Sequence, residues 1–513
     1  MSKKIISFIF LVTLFFYQFS QAEIVTLDDG RVVKLHEDGT FTVLSESNTD
    51  TNTNNNSSFE DSIINIFDLL DIQYESVNYV NNSNLIIKNI TIEDINIEEL
   101  IIENPNEKYF HNININSFNK YEGKFFDKLI IKNLIPVSIE NEDFYIGYLE
   151  LTKLDLKEIK LLKDMIMGES TDYVFGIANI IDSISLKTLK MNDVSFEFET
   201  DFYAYDSITL NNIKNSSLGE LIYKGAKIQR YDEYAELETM EIRNLKFNSP
   251  STYISEFNYM EHPRELFLFF DSLGSFKFKK FYQEVYERNG LSYVINVDTS
   301  EVSNFKTKKI NGLSIPVSFD STTSGITITT DDQSFKDDLD RLGYSELKFD
   351  YSTNFKWSPS SEIFTFNFNV GMQEGAEILF NTKFDDIDLY TLINDSNTPI
   401  ILDYLQTTPK ISSIDLTLKD RGLTPRMLEY GAYEMGMSSD QLVTFITSQL
   451  QAYSVYVESP LTNEFIISLQ NFLENPNSLS FKMQPKASLS YDDILSLSYN
   501  PSLLVEVLNI KIR

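Results

Sequence analysis

LIIKNI, at Leu85–Ile90, carries the pattern on which most of this chain is built. Apolar and other residues alternate up to the asparagine, as in a β-strand, and the alternation is reversed after it. A reversed phase requires one additional residue, which a β-bulge or a tight turn supplies. Related hexapeptides recur: LIIKNL at Leu129–Leu134, LKMNDV at Leu189–Val194, ITLNNI at Ile208–Ile213, MEIRNL at Met240–Leu245 and KKINGL at Lys308–Leu313.

The fifth residue of each copy is Asn, Asp or Gly, the types that best tolerate a left-handed backbone. We therefore predict a bulged or kinked strand that is used repeatedly. The alternative is a chance recurrence in a chain rich in Ile, Asn and Lys. The predicted kink residues are Asn89, Asn133, Asp193, Asn212, Asn244 and Gly312.

Charge and composition exclude several classes of protein. With 513 residues the chain is long enough for two or three domains and a large core. Its net charge of −33 repels phosphate backbones and anionic headgroups, which argues against nucleic acid and against polybasic docking to a membrane. The absence of cysteine excludes disulfides, thiolate metal sites, thiol nucleophiles and lipoprotein-type anchoring.

The N-terminus has the pattern of a secretory signal over Ser2–Ala22. Lys3 and Lys4 precede an apolar core, Ile5–Phe16, which is too short to span a bilayer comfortably, and cleavage is expected after Ala22. The alternative is an uncleaved N-terminal anchor. No other stretch approaches eighteen apolar residues, so we predict no transmembrane helix and a periplasmic or secreted location.

Beyond the leader, the residue pattern changes character several times. Ile24–Leu44 contains two Asp-Gly turn signals and resembles the DGR-x-V-x-L-x-x-DGT element of exported bacterial proteins of unknown function. The predicted fold is α+β and β-dominated, with a long antiparallel, bulged and curved sheet on which a C-terminal helical segment packs. The predicted segments are signal peptide 1–22, β-meander 23–44, disordered linker 45–58, bulged-strand region 59–332, long antiparallel meander 333–420 and helical segment with terminal strands 421–513.

Apolar spacing and cap residues predict the helices. Ser334 and Thr424 are the predicted N-caps of two of them, and Ser438 with Gln441 fits a capping box. The other predicted helical stretches include one that begins at Phe59, and Leu161–Met167, Val174–Ile184, Pro263–Asp271, Phe281–Arg288 and Asn463–Glu474.

A series of strands from Leu347 to Lys419 has one apolar face and one polar face, which is typical of an antiparallel sheet covered on one side. Two interpretations stay open. The apolar face is either a core beneath the C-terminal helices or a groove that accepts an apolar ligand such as an acyl chain. The candidate ligand residues are Phe349, Tyr351, Phe355, Phe364, Phe366, Phe368, Phe380 and Phe384.

The sequence contains no recognisable catalytic signature. His36, His111 and His262 have no metal-binding partner at the usual spacing, and no G-x-S-x-G, P-loop or G-x-G-x-x-G motif occurs. We therefore predict no catalytic residue, no cofactor and no metal. Two groups of aspartates, best explained as solvated carboxylates rather than calcium ligands, are Asp337, Asp338 and Asp340, and Asp385, Asp386 and Asp388.

The bulged strands over about Asn84–Lys419, together with the leader, resemble β-rich periplasmic proteins related to the AsmA-like envelope proteins. This resemblance implies a curved sheet with an apolar interior, involved in lipid homeostasis or transport in the envelope. The chain lacks that family's retained N-terminal membrane helix, so bridging between membranes is not implied, and no functional residue carries over. The block from Arg421 onward resembles the tail of uncharacterised alphaproteobacterial exported proteins.

Three functional hypotheses follow. The first is an exported, non-catalytic binding or scaffold protein that holds lipid or another apolar ligand in the Phe-rich groove. The second is a structural interaction protein of the envelope, with a closed core and protein partners. The third is a hydrolase without sequence signatures, which would require a pocket that holds paired, desolvated carboxylates.

Overall fold

The computed structural model describes residues 23–26, 32–35, 41–45, 59–69, 72–92, 95–107, 123–136, 144–156, 184–198, 201–230, 233–248, 270–286, 292–394, 408–454, 460–499 and 501–513. The chain divides into two compact units. The first comprises Met1–Tyr231 and Glu241–Asn258, and the second comprises Asp232–Met240 and Tyr259–Arg513.

The first unit contains one helix and a succession of antiparallel strands. A separate three-stranded sheet lies nearest the N-terminus: β1 (Glu23–Thr26), β2 (Val32–Leu35) and β3 (Phe41–Ser45). The remaining elements are α1 (Phe59–Leu69), β4 (Ser76–Val80), β5 (Asn84–Ile92), β6 (Ile95–Glu103), β7 (Gly123–Pro136), β8 (Phe144–Leu156), β9 (Ile184–Phe198), β10 (Asp201–Lys214), β11 (Ser217–Gln229) and β12 (Glu233–Phe247), whose last residues belong to this unit.

All six predicted kink residues have a left-handed backbone, with φ between 47° at Asn133 and 89° at Gly312. Five of them lie inside strands. Gly312 instead follows Asn311, which also has positive φ, in the tight turn between two long strands of the second unit. The prediction of left-handed backbone at these positions is therefore confirmed, although one copy of the hexapeptide is a hairpin turn rather than a kink.

The kinks form two rows across the sheet of the first unit. The pairs Lys88↔Glu99 and Ile90↔Ile97 flank Asn89, which therefore lies opposite Glu98. The same reading of the other ladders gives a first kink row of Asn89, Glu98, Asn133, Gly147, Asp193, Asp206 and Gly225. A second kink row, six residues away along each strand, contains Asn104, Asp127, Lys153, Lys187, Asn212 and Gly219.

Positive φ occurs on alternate strands within each row. In the first row it belongs to residues of β5, β7, β9 and β11, and in the second it belongs to Lys153 in β8 and Asn212 in β10, with Asn104 just after β6. Short polar side chains join neighbouring strands at these points. The amide of Asn133 donates to Glu98, and that of Asn104 donates to Asp127 over 2.9 Å. Side-chain hydrogen bonds between neighbouring strands therefore occur in both rows.

The ladders pass through these kinks without a change of register, because both paired strands reverse their phase at the same level. The extra residue is therefore shared by neighbouring strands, rather than inserted in one strand only as in a bulge. Register shifts of the bulge type occur elsewhere, for example between Lys124 and Phe126, Ser303 and Lys306, and Thr323 and Ile326.

The interior of the first unit is a filled aliphatic core. Reversal of phase at each row keeps the large side chains on the buried side, so that one strand contributes residues of both parities. On β7, Leu129, Ile131 and Leu134 are all buried. The largest side chains with almost no exposed surface in this unit are Phe67, Leu85, Ile87, Ile90, Leu100, Ile102, Phe126, Leu134 and Leu149.

The second unit combines long antiparallel strands with most of the helices. Its elements after β12 are β13 (Phe270–Ser272), β14 (Ser275–Tyr286), β15 (Ser292–Ile310), β16 (Leu313–Thr330), α2 (Gln333–Arg341), β17 (Leu347–Ser358), β18 (Ile363–Met372), β19 (Ala376–Asp385), α3 (Leu389–Asn394), β20 (Lys410–Asp420), α4 (Leu423–Glu434), α5 (Ser439–Ser454), α6 (Pro460–Glu474), β21 (Ser478–Met483), α7 (Tyr491–Ser498), α8 (Pro501–Leu508) and β22 (Lys511–Ile512).

The predicted fold class is confirmed. Strands predominate, nineteen of those described belong to an antiparallel sheet, and the helices α4 to α8 follow near the C-terminus. Helix α6 packs against β21 and β22, and the hydroxyl of Ser468 donates to the carbonyl oxygen of Ile512 over 3.2 Å. Within the described part of the chain, every helix falls short of the length and apolar character that a membrane span requires.

The helix predicted over Phe281–Arg288 is wrong, because its described residues belong to β14. Lys280 has φ of 52° and reverses the phase of that strand. Apolar residues therefore stand at Phe278, Phe281 and Val285, a spacing that imitates one face of a helix. Of the helix predicted over Pro263–Asp271, the last two residues lie in β13 instead, and the others lie outside the described residues.

Two predicted N-caps are also corrected. Asp332, not Ser334, caps α2, because its carboxylate accepts from the backbone N–H groups of Ser334 and Phe335. Thr424 lies within the first turn of α4, whose N-cap is Gly422. The capping box of Ser438 and Gln441 is confirmed by two reciprocal hydrogen bonds.

We expect Asp332→Ala to destabilise α2 by about 1 kcal/mol, because two backbone N–H groups lose their acceptor. Ser334→Ala, the matched control, is expected to leave the helix unchanged. Amide hydrogen exchange along Gln333–Arg341 measures both variants. Faster exchange in Ser334→Ala than in Asp332→Ala would contradict this assignment.

Several sequence predictions lie outside the described residues. They concern the leader with its cleavage site at Ala22, the linker except Ser45 at the end of β3, the helix predicted over Leu161–Met167, most of that over Val174–Ile184, and the three histidines.

Candidate functional site

All eight candidate ligand residues lie on one face of the sheet in the second unit. Tyr351 is directly opposite Val370, Phe355 is opposite Phe366, and Phe368 is opposite Phe380. Because side chains alternate along each strand, these pairs fix the whole set on the same side. We name this surface the Phe-rich face; it comprises the odd residues of β17, the even residues of β18 and β19, and Ile411, Ile414, Leu416 and Leu418 of β20.

One end of the Phe-rich face is closed by a dense apolar cluster. Trp357 is 5 % exposed and its indole N–H donates to the carbonyl oxygen of Ile387 over 2.8 Å. The fully buried Ile315 and the helix α3 pack against the same cluster. The candidate residues that take part here are Phe355, Phe364 and Phe384.

Aromatic rings continue along this closed end. Phe355 stacks on Phe319 with ring centres 5.1 Å apart, and its other neighbour, Phe364, meets it edge-on at 5.4 Å. Phe364 in turn contacts Phe384 at 6.0 Å. Edge-on and offset arrangements of this kind add to the stability gained from burial, so these ring contacts stabilise the closed end.

The other end of the Phe-rich face is partly open. Ile378 and Leu416 are each 40 % exposed, and the candidate residues Phe349, Tyr351, Phe366, Phe368 and Phe380 are half-buried rather than buried. The face is therefore neither the fully covered core nor a fully open groove. It is an apolar surface that is dry at one end and reaches solvent at the other.

The Phe-rich face is almost free of charge. None of its residues on β17 to β20 is charged, and Asp420, which lies opposite Ala376, stands at its margin. The carboxylate of Asp420 accepts from the backbone N–H groups of Gly422 and Thr424 at the start of α4, over 2.9 and 2.7 Å. The surface thus offers dispersion and hydrophobic contacts but no fixed charge to an occupant.

The basic side chains around the open end already have acidic partners. Arg421 and Lys419 lie 2.6 and 3.6 Å from Glu377, and Lys348 lies 2.6 Å from Glu346. Burial alone would raise the pKa of Glu377, but the two cations bring it below its ordinary value. These side chains are therefore engaged with the protein's own carboxylates rather than poised for an anion.

The opposite side of the same strands carries a continuous polar row. Asn354 lies opposite Asp320 and Asn367, and its amide donates to Asp320 while it accepts from Asn367 over 3.3 Å. Hydrogen bonds from the amides of Asn304 and Asn354 lower the pKa of Asp320. The row ends in the ion pair of Asp415 and Lys482, 2.8 Å apart. The complete row is Asp320, Asn354, Asn367, Asn381, Asp415 and Lys482.

A carboxylate and two hydroxyls meet beside the closed end. Ser412 and Ser488 both donate to the same oxygen of Asp385, and their own oxygens are 2.9 Å apart. Burial opposes ionisation of Asp385, but the two hydroxyls and Lys383 bring its pKa below the ordinary value. A carboxylate of lowered pKa is a poor general base at neutral pH. The hydrogen bonds of this cluster join β19, β20 and the segment before α7.

The two aspartate groups do not assemble into ligand sets. Asp386 pairs with Lys410 at 2.6 Å, and Asp388 accepts from the first turn of α3. Asp338 accepts from the hydroxyl of Tyr430 over 3.1 Å. Within the described residues, no group of three or more His, Asp or Glu side chains is arranged to hold a metal ion.

The alternation in the sequence predicts that these residues share one face of the sheet, but it does not predict that the face has a closed and an open end. The closed end is formed in part by Trp357, Phe319 and Ile387. Trp357 and Phe319 follow the alternation of their strands, whereas Ile387 does not lie in a strand. Ile387 and α3 arrive from a loop after β19, and no periodicity in the sequence indicates that they fold back on the face.

Comparison with known proteins adds little to this geometry. Residues 369–513 match a family model whose description is "Uncharacterized protein". The match begins within β18 and includes β19 to β22 together with α3 to α8. No curated protein matches the chain.

Proposed function

We propose that this chain is an exported, non-catalytic binding protein of the bacterial cell envelope that holds lipid or another apolar ligand on the Phe-rich face. The observation that carries the proposal is the half-open state of that face, where Ile378 and Leu416 remain 40 % exposed among aromatic neighbours. Contiguous exposed apolar surface on a protein often marks a site that binds a ligand or a partner. Export is supported by the sequence of the leader.

The contrast with the first unit supports the same proposal. That unit contains most of the large side chains that are almost completely buried, and its exposed apolar residues, Val80 and Ile135, lie on separate strands. A ligand without charge would gain about 0.8 kcal/mol for each methylene that it buries on the Phe-rich face.

Native mass spectrometry with lipid extraction tests the proposal. The full chain is expressed with its own N-terminus, and the purified protein is expected to carry a lipid at fixed stoichiometry. In the double variant Phe366→Asp/Phe368→Asp we expect the amount of bound lipid to fall by about tenfold. Two carboxylates would have to be desolvated beneath the ligand.

Thr365→Asp/Asn367→Asp is the matched control, since it introduces the same charge on the same strand but on the polar face. It is expected to retain the lipid. Circular dichroism and thermal unfolding establish that both variants fold. Equal lipid content in the two variants, or no lipid on the unaltered chain with no uptake from vesicles, would refute the proposal.

A second candidate function rests on the C-terminal helices, which expose large apolar side chains. Tyr433, Ile467 and Tyr499 are examples, the last being 91 % exposed. Such residues favour a structural interaction protein with protein partners. A lipid-free mass for the unaltered chain would favour this second function over the first.

A further inference from the structure

The two ends of the Phe-rich face differ in a way that bears on the orientation of an occupant. At the closed end, the indole N–H of Trp357 is satisfied by Ile387, and the surrounding side chains Leu313 and Ile315 are apolar and buried. A polar headgroup placed there would lose its water without gaining a hydrogen bond, which costs several kcal/mol. A hydrocarbon chain end meets no such penalty.

The open end has the opposite character. Around Ile378 and Leu416 the surface reaches solvent, so a headgroup placed there keeps its hydration. Between the two ends, the stretch from Phe364 to Met372 runs along β18 for about 26 Å at about 3.3 Å per residue. The hydrocarbon part of a common lipid occupies about half of a 30 Å bilayer core, roughly 15 Å, so it fits within that length.

Charge restricts the class of headgroup. The chain carries a net charge of −33, the face itself has no basic side chain within β17 to β20, and Arg421, Lys419 and Lys348 at its margin are paired with carboxylates. An anionic headgroup would therefore meet repulsion without a compensating ion pair. A zwitterionic or uncharged headgroup meets no such repulsion.

We infer that the ligand is a lipid with a zwitterionic or uncharged headgroup, bound with its chain ends against the Trp357 cluster and its headgroup at the open end near Ile378. This inference rests on the proposed function and deepens it. It assigns the closed end as the position that receives the chain ends, and the open end as the entrance.

The chain contains a single tryptophan, and it stands in the closed end, so its fluorescence reports contact with the ligand there. The probe is phosphatidylcholine whose acyl chains carry bromine either near the chain terminus or near the carbonyl group. Bromine quenches indole emission on contact. Terminal bromine is expected to remove most of the emission of Trp357, and bromine near the carbonyl group is expected to leave most of it.

The variant Tyr351→Trp/Trp357→Phe moves the reporter to the open end, and there we expect the order of quenching to be reversed. The same brominated chains on phosphatidylglycerol test the headgroup, and weaker uptake than for phosphatidylcholine is expected. Native mass spectrometry counts bound lipid in every sample, so that a failure of orientation is distinguished from a failure to bind.

Bound lipid with equal quenching by both probes, or with stronger quenching of Trp357 by bromine near the carbonyl group, would overturn the orientation and leave the proposed function standing. Preference for phosphatidylglycerol would overturn the assignment of the headgroup. Absence of bound lipid in all samples would overturn the inference together with the proposed function.

Discussion

Leu134→Ala is expected to lower the free energy of unfolding by about 2–5 kcal/mol, the range for a large aliphatic side chain removed from a packed core. Leu134 is 0 % exposed and lies directly opposite Ile97 on one neighbouring strand and Ile146 on the other. It follows the left-handed Asn133 immediately, so its burial depends on the reversal of phase at that kink. Chemical denaturation of the full chain, followed by circular dichroism, measures the loss.

Ile135→Ala is the matched control. Ile135 is the next residue on the same strand and is 47 % exposed. If the strand kept a simple alternation after the buried Ile131, position 135 would point inward and position 134 outward. We expect Ile135→Ala to change the free energy of unfolding by less than about 0.5 kcal/mol, as for surface substitutions generally. A larger loss for Ile135→Ala than for Leu134→Ala would disprove the kinked strand.

The sequence predicted where six left-handed residues lie, but it missed other kinks. The fifth position of the hexapeptide tolerates more residue types than Asn, Asp and Gly. Lys153 has φ of 53° within LELTKL at Leu149–Leu154, and Lys280 has φ of 52° within FKFKKF at Phe276–Phe281. Both fit the apolar pattern, but lysine is not a residue that suggests positive φ. The ammonium group of Lys280 lies 2.6 Å from Asp298 on the neighbouring strand.

The alignment of neighbouring strands could not be predicted from the sequence. The hexapeptide shows that one strand reverses its phase, and it does not show that the strand beside it reverses at the same level. The two rows arise because Asn133 and Gly147, or Asp193 and Asp206, are brought opposite each other by hairpins of different lengths. Long-range pairing decides this alignment, and local patterns carry no information about it.

The aromatic face, like the kinks, could be predicted only in part from the sequence. Alternation in β17 to β19 identified the aromatic face, because each strand is regular there and the period of two is unbroken. The exposure of Ile378 and the burial of Trp357 depend on which segments return to the face, and this is a tertiary property. Sequence therefore gave the composition of the surface, and the structure adds its closed and open ends.

Gly225→Ala is expected to destabilise the first unit by about 2–4 kcal/mol, the sum of backbone strain and overpacking. Gly225 has φ of 59°, and a Cβ atom there would lie 2.0 Å from a carboxylate oxygen and 2.2 Å from the carboxylate carbon of Asp206, its neighbour in the first kink row. Gly371→Ala is the control, because Gly371 lies in β18 without positive φ, and a Cβ atom added there would have no other atom within 4 Å. Thermal and urea unfolding compare the two variants.

The two parts of this effect can be separated by a second substitution in the same row. Asp206→Ala removes the carboxylate that the new Cβ would meet and leaves the backbone strain, so Gly225→Ala/Asp206→Ala is expected to recover roughly half of the loss. The same pair of residue types recurs in the second unit, where Gly325 has φ of 65° and its Cβ position lies 2.2 Å from an oxygen of Asp298. Gly325→Ala with and without Asp298→Ala should therefore reproduce the pattern. No recovery in either unit would mean that backbone strain alone selects glycine, and that the close approach of aspartate to glycine is a consequence of the kink rather than a constraint on it.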